Sequence, residues 1–326
     1  MITSDSVVIA TNGSGLRPDL CLAVGVTGHR LTRLQNVDLQ TLRATIAAIL
    51  SNVHQAAKTV ATQHAVHFAS TTPKMRLVTA LANGADTIAA DAALSAGWQL
   101  DACLPFVRNE YANDFADGAD RENYEQLLIR ATSTFALNGE RHEADAAYEA
   151  VGRVVLDQSD ILLAIWDGDV GRGRGGTARV VAEAIGRHIP VIHIDIRLGR
   201  ATELLWSGLA DFEIEQPTID LVPRADAASV MGAVVAALAM PPDNPVDQRM
   251  LARFYRERSR SRTPALPYPL LLAMTGTRKF SRADMRPAAA EDCAAPLAAQ
   301  LPKVSHDDRY GDALIKKLVA RFGVAD

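Results

Sequence analysis

From Asp19 onward, short runs of apolar residues alternate with longer amphipathic stretches. "CLAVGV" (21–26), "RLVTAL" (76–81), "WQLDACLPF" (98–106), "ILLAIWD" (161–167) and "PVIHIDI" (190–196) are apolar almost throughout. That is the pattern of strands covered on both faces rather than one. After the first run, Leu39, Leu42, Ile46, Leu50, Val53, Ala57 and Val60 recur at steps of three and four, which predicts a helix. "ANGAD" closes the second run and opens a small-residue helix through Ala96, and helical segments are expected near 122–131 and 144–157. Strands alternating with helices in this way predict an α/β chain: a doubly wound, mainly parallel sheet with helices on both faces. "FEIEQPTIDLVP" is expected to add an edge strand and "DAASVMGAVVAALAM" a closing helix.

The pattern changes after Met240. "PPDNP" is a breaker cluster, six arginines fall between 249 and 262, and a proline- and alanine-rich stretch follows. The expected organisation is an N-terminal tail (1–18), an α/β domain (19–240), and an Arg/Pro-rich linker with a C-terminal helical extension (241–326). "DDRYGDALIKKLVARF" is expected to form one helix of that extension.

Composition narrows the function classes. A hydrophobic share of 48% and a charged share of 22% describe a globular chain. The formal net charge of -4 supplies no global basic field for nucleic acid or acidic lipid, so an anion site must be local. Cys21, Cys103 and Cys293 have no metal-ligand spacing, and no metal and no required cofactor are expected. No charged start followed by an apolar segment reads as a secretion signal, and no apolar run approaches the ~20 residues of a membrane helix, so a cytoplasmic location is expected.

Candidate chemistry lies where strands exit. In a parallel sheet, ligands bind beyond the carboxyl ends of the strands, where loops run into helix N-termini. Three stretches should meet there: Gly25-Val26-Thr27-Gly28-His29-Arg30, Asn83-Gly84-Ala85-Asp86, and the glycine-rich "GDVGRGRGGTARVVAEA" from Gly168. Glycines admit an anion to free backbone N–H groups at the positive end of a helix. The candidate ligand-binding residues are therefore Gly25, Thr27, Gly28, His29, Arg30, Gly84, Asp86, Asp167, Gly168, Gly175, Gly176 and Thr177. Arg30 would clamp charge, and Asp167 or Asp86 would accept from ribose hydroxyls. Glu110, Tyr111 and Asp114 belong to a loop expected to close over the crevice as a lid, with Tyr111 and Phe115 as alternative packing anchors. Gly25-x-x-Gly28 lacks the third glycine of a dinucleotide fingerprint, and no lysine precedes Thr177 as a Walker loop requires.

The succession "VGVTGHR", "LANGADTIAADAALSAGWQLDACLPF", "EYANDF", "SDILLAIWDG" and "GRGGTARVVAEA" resembles the SLOG superfamily (the Smf/DprA and LOG group) over residues 19–198. "LPF" followed by "EY" and "DF" resembles its nucleotide-signalling bacterial branch more than its catalytic branch. The resemblance implies that 19–240 is a nucleotide-binding domain of Rossmann-like fold whose crevice binds nucleotides or their derivatives, such as an NAD metabolite or a cyclic or mono-nucleotide, in a signalling or defence context. It also implies a homo-oligomer, and an effector or membrane-associated partner reached through 241–326.

The LOG branch cleaves the base–ribose bond of nucleoside 5'-monophosphates through a motif resembling Gly-Gly-x-Gly-Thr-x-x-Glu. Here Val180 stands where that glutamate would be, and Glu183 lies three residues further on. Arg153 is at best a shifted substitute for the branch's Arg-Lys pair. Glu183 and Arg153 are thus the catalytic candidates if the chain is a phosphoribohydrolase, and binding without turnover is the favoured expectation. Single-stranded DNA binding, as in the DprA branch, ranks third, because aromatics are 5% of the chain and the charge balance is acidic.

Overall fold

The computed structural model describes residues 17–70, 72–116, 118–169, 176–197, 201–241, 244–256 and 267–277. Arg172, Arg174, Gly175, Cys293 and the predicted C-terminal helix lie outside them. The chain divides into two compact units, Met1–Tyr255 and Arg256–Asp326.

In the first unit, eight strands form one sheet in the order β4-β3-β2-β1-β5-β6-β7-β8. They are β1 (Cys21–Gly28), β2 (Lys74–Thr79), β3 (Gln99–Leu104), β4 (Ser133–Ala136), β5 (Ile161–Trp166), β6 (Val191–Asp195), β7 (Glu203–Leu205) and β8 (Arg224–Asp226). The first six are parallel, whereas β7 and β8 are antiparallel additions at one edge. The helices are α1 (Leu39–Gln63), α2 (Ala85–Ser95), α3 (Arg108–Tyr111), α4 (Ala119–Arg130), α5 (Ala144–Asp157), α6 (Thr177–Gly186), α7 (Ala227–Ala239) and α8 (Pro245–Arg256). In the second unit the described residues form α9 (Pro267–Met274). The chain is a Rossmann-like α/β fold.

Strand β5 explains why its sequence is apolar throughout. Ile161, Leu163 and Ile165 join the core beneath α1, α2, α4 and α7, while Leu162, Ala164 and Trp166 pack beneath α6 on the other face. Both sets are buried, so nothing polar is tolerated. Helix α5 covers the second face over β1, β2 and β3, with Val151 and Val155 against Ala23, Val78 and Cys103.

Helix α1 leaves β1 on one face, and helix α5 delivers the chain to β5 on the other. β1 and β5 are nevertheless neighbours in the sheet, and α6 follows β5 on the face opposite α1, which makes their carboxyl ends the topological switch point.

One predicted element fell elsewhere. Residues 212–223 ("FEIEQPTIDLVP") form turns, with Phe212 and Leu221 exposed and Val222 buried. The edge of the sheet is built instead by Glu203–Leu205 and Arg224–Asp226, the two segments bracketing that loop. Three-residue strands offer too few positions to show a period of two, and Pro217 interrupts the stretch that looked strand-like.

Candidate functional site

The switch point is tied together by short polar links. The His29 N–H donates to the Ile165 carbonyl (2.9 Å), the Leu31 N–H to Asn83 (2.9 Å), and the Ala85 N–H to the His29 carbonyl (3.0 Å). The exits of β1, β2 and β5 are therefore sewn to one another. Gly28 sits at the seam, where an added Cβ would collide with the Ala85 side chain and lie 2.7 Å from the Ile165 carbonyl oxygen. Gly84 has a φ of +129°, and a Cβ there would stand 2.6 Å from the His29 carbonyl oxygen. Both positions need glycine for close approach of backbone to backbone.

His29 and Arg30 leave this seam in opposite directions, as successive residues of an extended chain must. His29 is 7% exposed, with Nε2 3.0 Å from Asp167 Oδ2 and 3.4 Å from the Asp167 backbone nitrogen. The shorter contact assigns Nε2–H as a donor to the carboxylate. Arg30 turns toward β3, its guanidinium 4.9 Å from the Tyr148 ring centroid and 3.8 Å from Asp114 Oδ2.

Asp167 begins a braced turn. Its Oδ1 accepts from the Asp169 N–H (3.1 Å), Arg33 Nη1 approaches Oδ2 at 3.7 Å, and the Trp166 indole N–H donates to the Asp169 carbonyl (2.9 Å). Partial burial opposes ionisation of Asp167. The Asp169 N–H and His29 outweigh it and hold the carboxyl below the usual carboxylate range. Gly168, at φ +82°, supplies the left-handed residue that this turn needs. The root of the glycine-rich loop is thus fixed. The loop returns at Gly176, the N-cap of α6, which has extended backbone (φ -74°, ψ 157°) and no side-chain cap bond. Thr177 opens the helix, and both residues are partly exposed. The positive end of α6 therefore opens on a residue without a side chain, and the Arg179 N–H turns back to the Gly176 carbonyl (2.9 Å).

The N-terminus of α2 is different. The His29 carbonyl takes the Ala85 N–H, and Gly84 and Thr87 exchange hydrogen bonds (3.3 and 3.1 Å). Asp86 is buried, accepting from the Thr79 hydroxyl (2.9 Å) and the Ala82 N–H (3.4 Å). Burial pushes its carboxyl up to about 6, against the lowering effect of those bonds and of Arg30. Gly84 and Asp86 are both buried and hold the seam from within.

The remaining candidates disperse. Gly25 lies in the middle of β1, paired with Leu162 near the start of β5, where a Cβ would strike Ser159; it is distant from the carboxyl rim. Thr27 pairs with Ala164 one residue before the end of β1. The expected lid is a pinned element: Tyr111 and Phe115 are buried, Phe115 stacks on Tyr124 (4.4 Å), and Asp114 accepts from Tyr148 and from Arg141 Nη1 (2.5 Å). Arg141 also reaches the Glu110 carboxylate at 3.4 Å.

Glu183 and Arg153 do come together, at 3.6 Å, but as members of an alternating ion ladder along α5 and α6. Its sequence is Asp157, Arg187, Glu183, Arg153, Glu149, Arg179. Glu183 stands six residues into α6, roughly 9 Å along the axis from Thr177. Its partners are arginines of the helix faces, and the switch-point residues His29 and Asp167 are elsewhere.

Two site residues were missed at the end of β6. Arg197 forks onto Asp195 (Nε to Oδ1 2.8 Å, Nη2 to Oδ2 2.6 Å), and Nη2 would lie 3.0 Å from a Cβ on Gly168. The signal was available: "VIHID" ends in aspartate just as "LAIWD" does, at the same rim of the neighbouring strand.

No protein-family model and no curated protein matches the chain. Among solved structures it is similar to a structural-genomics target, TM1055, with 14% identity over 52% of this chain and 72% of that one, at a TM-score of 0.30. It is also similar to DNA processing protein A from Helicobacter pylori, reported for its single-stranded DNA binding mode. There the identity is 17% over 55% and 67% of the two chains, at a TM-score of 0.32. Overlaps this partial leave the fold to stand on the chain's own topology. No described helix is long and apolar enough to cross a membrane.

Proposed function

We propose that this chain binds a nucleotide-derived ligand at the β1/β5 switch point without turning it over, as a sensing domain of the SLOG type. The observation that carries the reading is the N-terminus of α6, opened by Gly176 and Thr177, after a glycine-rich sequence whose root is braced by Asp167 and Trp166. Backbone N–H groups at such a terminus suit phosphate, and a carboxylate at the neighbouring exit suits a hydroxyl donor. Supporting the absence of turnover, Glu183 and Arg153 are engaged with arginine and glutamate neighbours away from the rim.

Gly176→Asp is the sharp test. The extended backbone at 176 is what an aspartate N-cap adopts, so the substitution keeps or strengthens the helix while placing negative charge where phosphate would sit. The expected result, by calorimetry with AMP and ADP-ribose, is saturable binding to the wild type that drops at least tenfold in the variant, with melting temperature retained. Unchanged affinity removes the site. Chromatographic detection of free adenine at enzymatic rates, abolished by Glu183→Ala, would replace binding with hydrolysis. Salt-sensitive capture of single-stranded DNA would replace it with nucleic-acid binding.

A further inference from the structure

A cavity of about 120 Å³ opens between the start of α1 and the exit of β6. Leu42 and Ile194 contribute apolar wall, while Asp38, Thr41, Thr45 and Thr202 bring polar groups. Asp195 and Arg197 complete it, and the Arg197 guanidinium stands between this cavity and the first glycine of the β5 loop.

Its polar groups are mostly acceptors. Asp38 caps α1, its Oδ1 accepting from the Gln40 N–H (3.0 Å) and its Oδ2 from the Thr41 hydroxyl (2.5 Å). Those bonds hold the carboxyl below its usual range, so it stays ionised near neutrality. Each oxygen keeps a further lone pair. The Thr41 hydroxyl spends its proton on Asp38 and the Thr45 hydroxyl spends its own on the Thr41 carbonyl (2.9 Å), which leaves both oxygens as acceptors. Arg197 forks onto Asp195, so among the described lining residues one guanidinium stands with two carboxylates. A phosphate would meet the Asp38 carboxylate and the threonine acceptors here, with the Arg197 guanidinium already committed to Asp195. An uncharged group rich in N–H or O–H donors would meet complementary partners over an apolar floor.

We infer that this cavity receives the uncharged nucleoside portion of the ligand, through a ribose diol or an amino-bearing base, while the N-terminus of α6 takes its phosphate. The inference rests on the nucleotide-binding reading above and gives that site a second, chemically opposite half. The volume suits a ring or a sugar, well below the ~300–1,000 Å³ of drug-sized pockets.

The experiment separates the halves on the full chain, using ligand-observed NMR and calorimetry with adenosine, inorganic phosphate and AMP. Thr45→Phe fills the cavity from a partly buried position of α1. Asp38→Asn keeps a competent helix cap while removing the charged acceptor, and serves if the first variant loses its melting transition. The expected pattern is adenosine binding lost in Thr45→Phe and weakened at least fivefold in Asp38→Asn, yet unaffected by Gly176→Asp. Phosphate binding should show the reverse, and AMP should suffer from all three. If AMP binds and responds to Gly176→Asp while adenosine fails to bind, or binds equally to the two α1 variants, the cavity assignment is wrong and the nucleotide site stands. If none of the three probes binds the wild type, both readings fall together.

Discussion

The buried carboxyl of Asp86 makes one residue's ionisation a measurable part of the fold. Its native value of about 6 lies above the ordinary 3.8, because burial penalises the charged form more than Thr79, Ala82 and Arg30 favour it. Between those values the native chain binds more protons than the unfolded one, so this group's contribution to stability falls as pH rises from about 4 to 6. Above that window the full penalty, about 3 kcal/mol from the size of the shift, is present. Asp86→Asn can still accept from the Thr79 hydroxyl and carries no charge. Denaturant melts of both proteins at pH 4 and pH 7 should therefore show the wild type losing about 3 kcal/mol relative to the variant at the higher pH; a difference independent of pH would refute the assignment. Gly28 tests the seam by sterics instead. An alanine there overlaps the Ala85 side chain and the Ile165 carbonyl, neither of which can withdraw without moving β1, β5 or α2. A loss of about 1–3 kcal/mol or more is expected by calorimetry, and an unchanged melting temperature would mean that the seam is looser than its contacts.

At the level of elements, legibility in the sequence followed length and burial. The five long central strands and the helices between them were readable because each covers several periods and buries a whole face, as β5 does with its two alternating apolar sets. β4, β7 and β8 were not readable. β4 is an exposed edge strand of four residues, and the other two have three residues each, so their strand character comes from the neighbour they pair with. The α5–α6 ladder was equally invisible, since Glu149, Arg153, Arg179, Glu183 and Arg187 look like solvated helix surface until the two helices are set side by side. Its arginines are exposed and its glutamates only partly buried, so its worth is modest: Glu183→Gln should cost under about 1 kcal/mol, and less as salt is raised. A cost of several kcal/mol, insensitive to salt, would indicate a buried role that these contacts do not explain.

For the whole molecule, topology alone places the exits of β1, β2 and β5 at one rim, because order and handedness in a wound sheet decide which strand exits are neighbours. Side-chain direction was beyond the sequence. His29 and Arg30 are adjacent in the chain but serve opposite sides of the rim. The α2 terminus, which looked like an anion site, is stopped by a backbone carbonyl from β1. The same economy of scale applies to the domain itself. Among the described residues, the buried apolar side chains run from Leu20 to Val235, and the first compact unit reaches Tyr255. A core of that extent, covered on both sheet faces by helices from within the unit, needs nothing beyond it to bury its strands. Residues 17–255 expressed alone should accordingly give a single cooperative thermal transition and keep the Gly176→Asp-sensitive binding of AMP. A broad, non-cooperative melt of that fragment would show that the remaining residues are required to complete the fold.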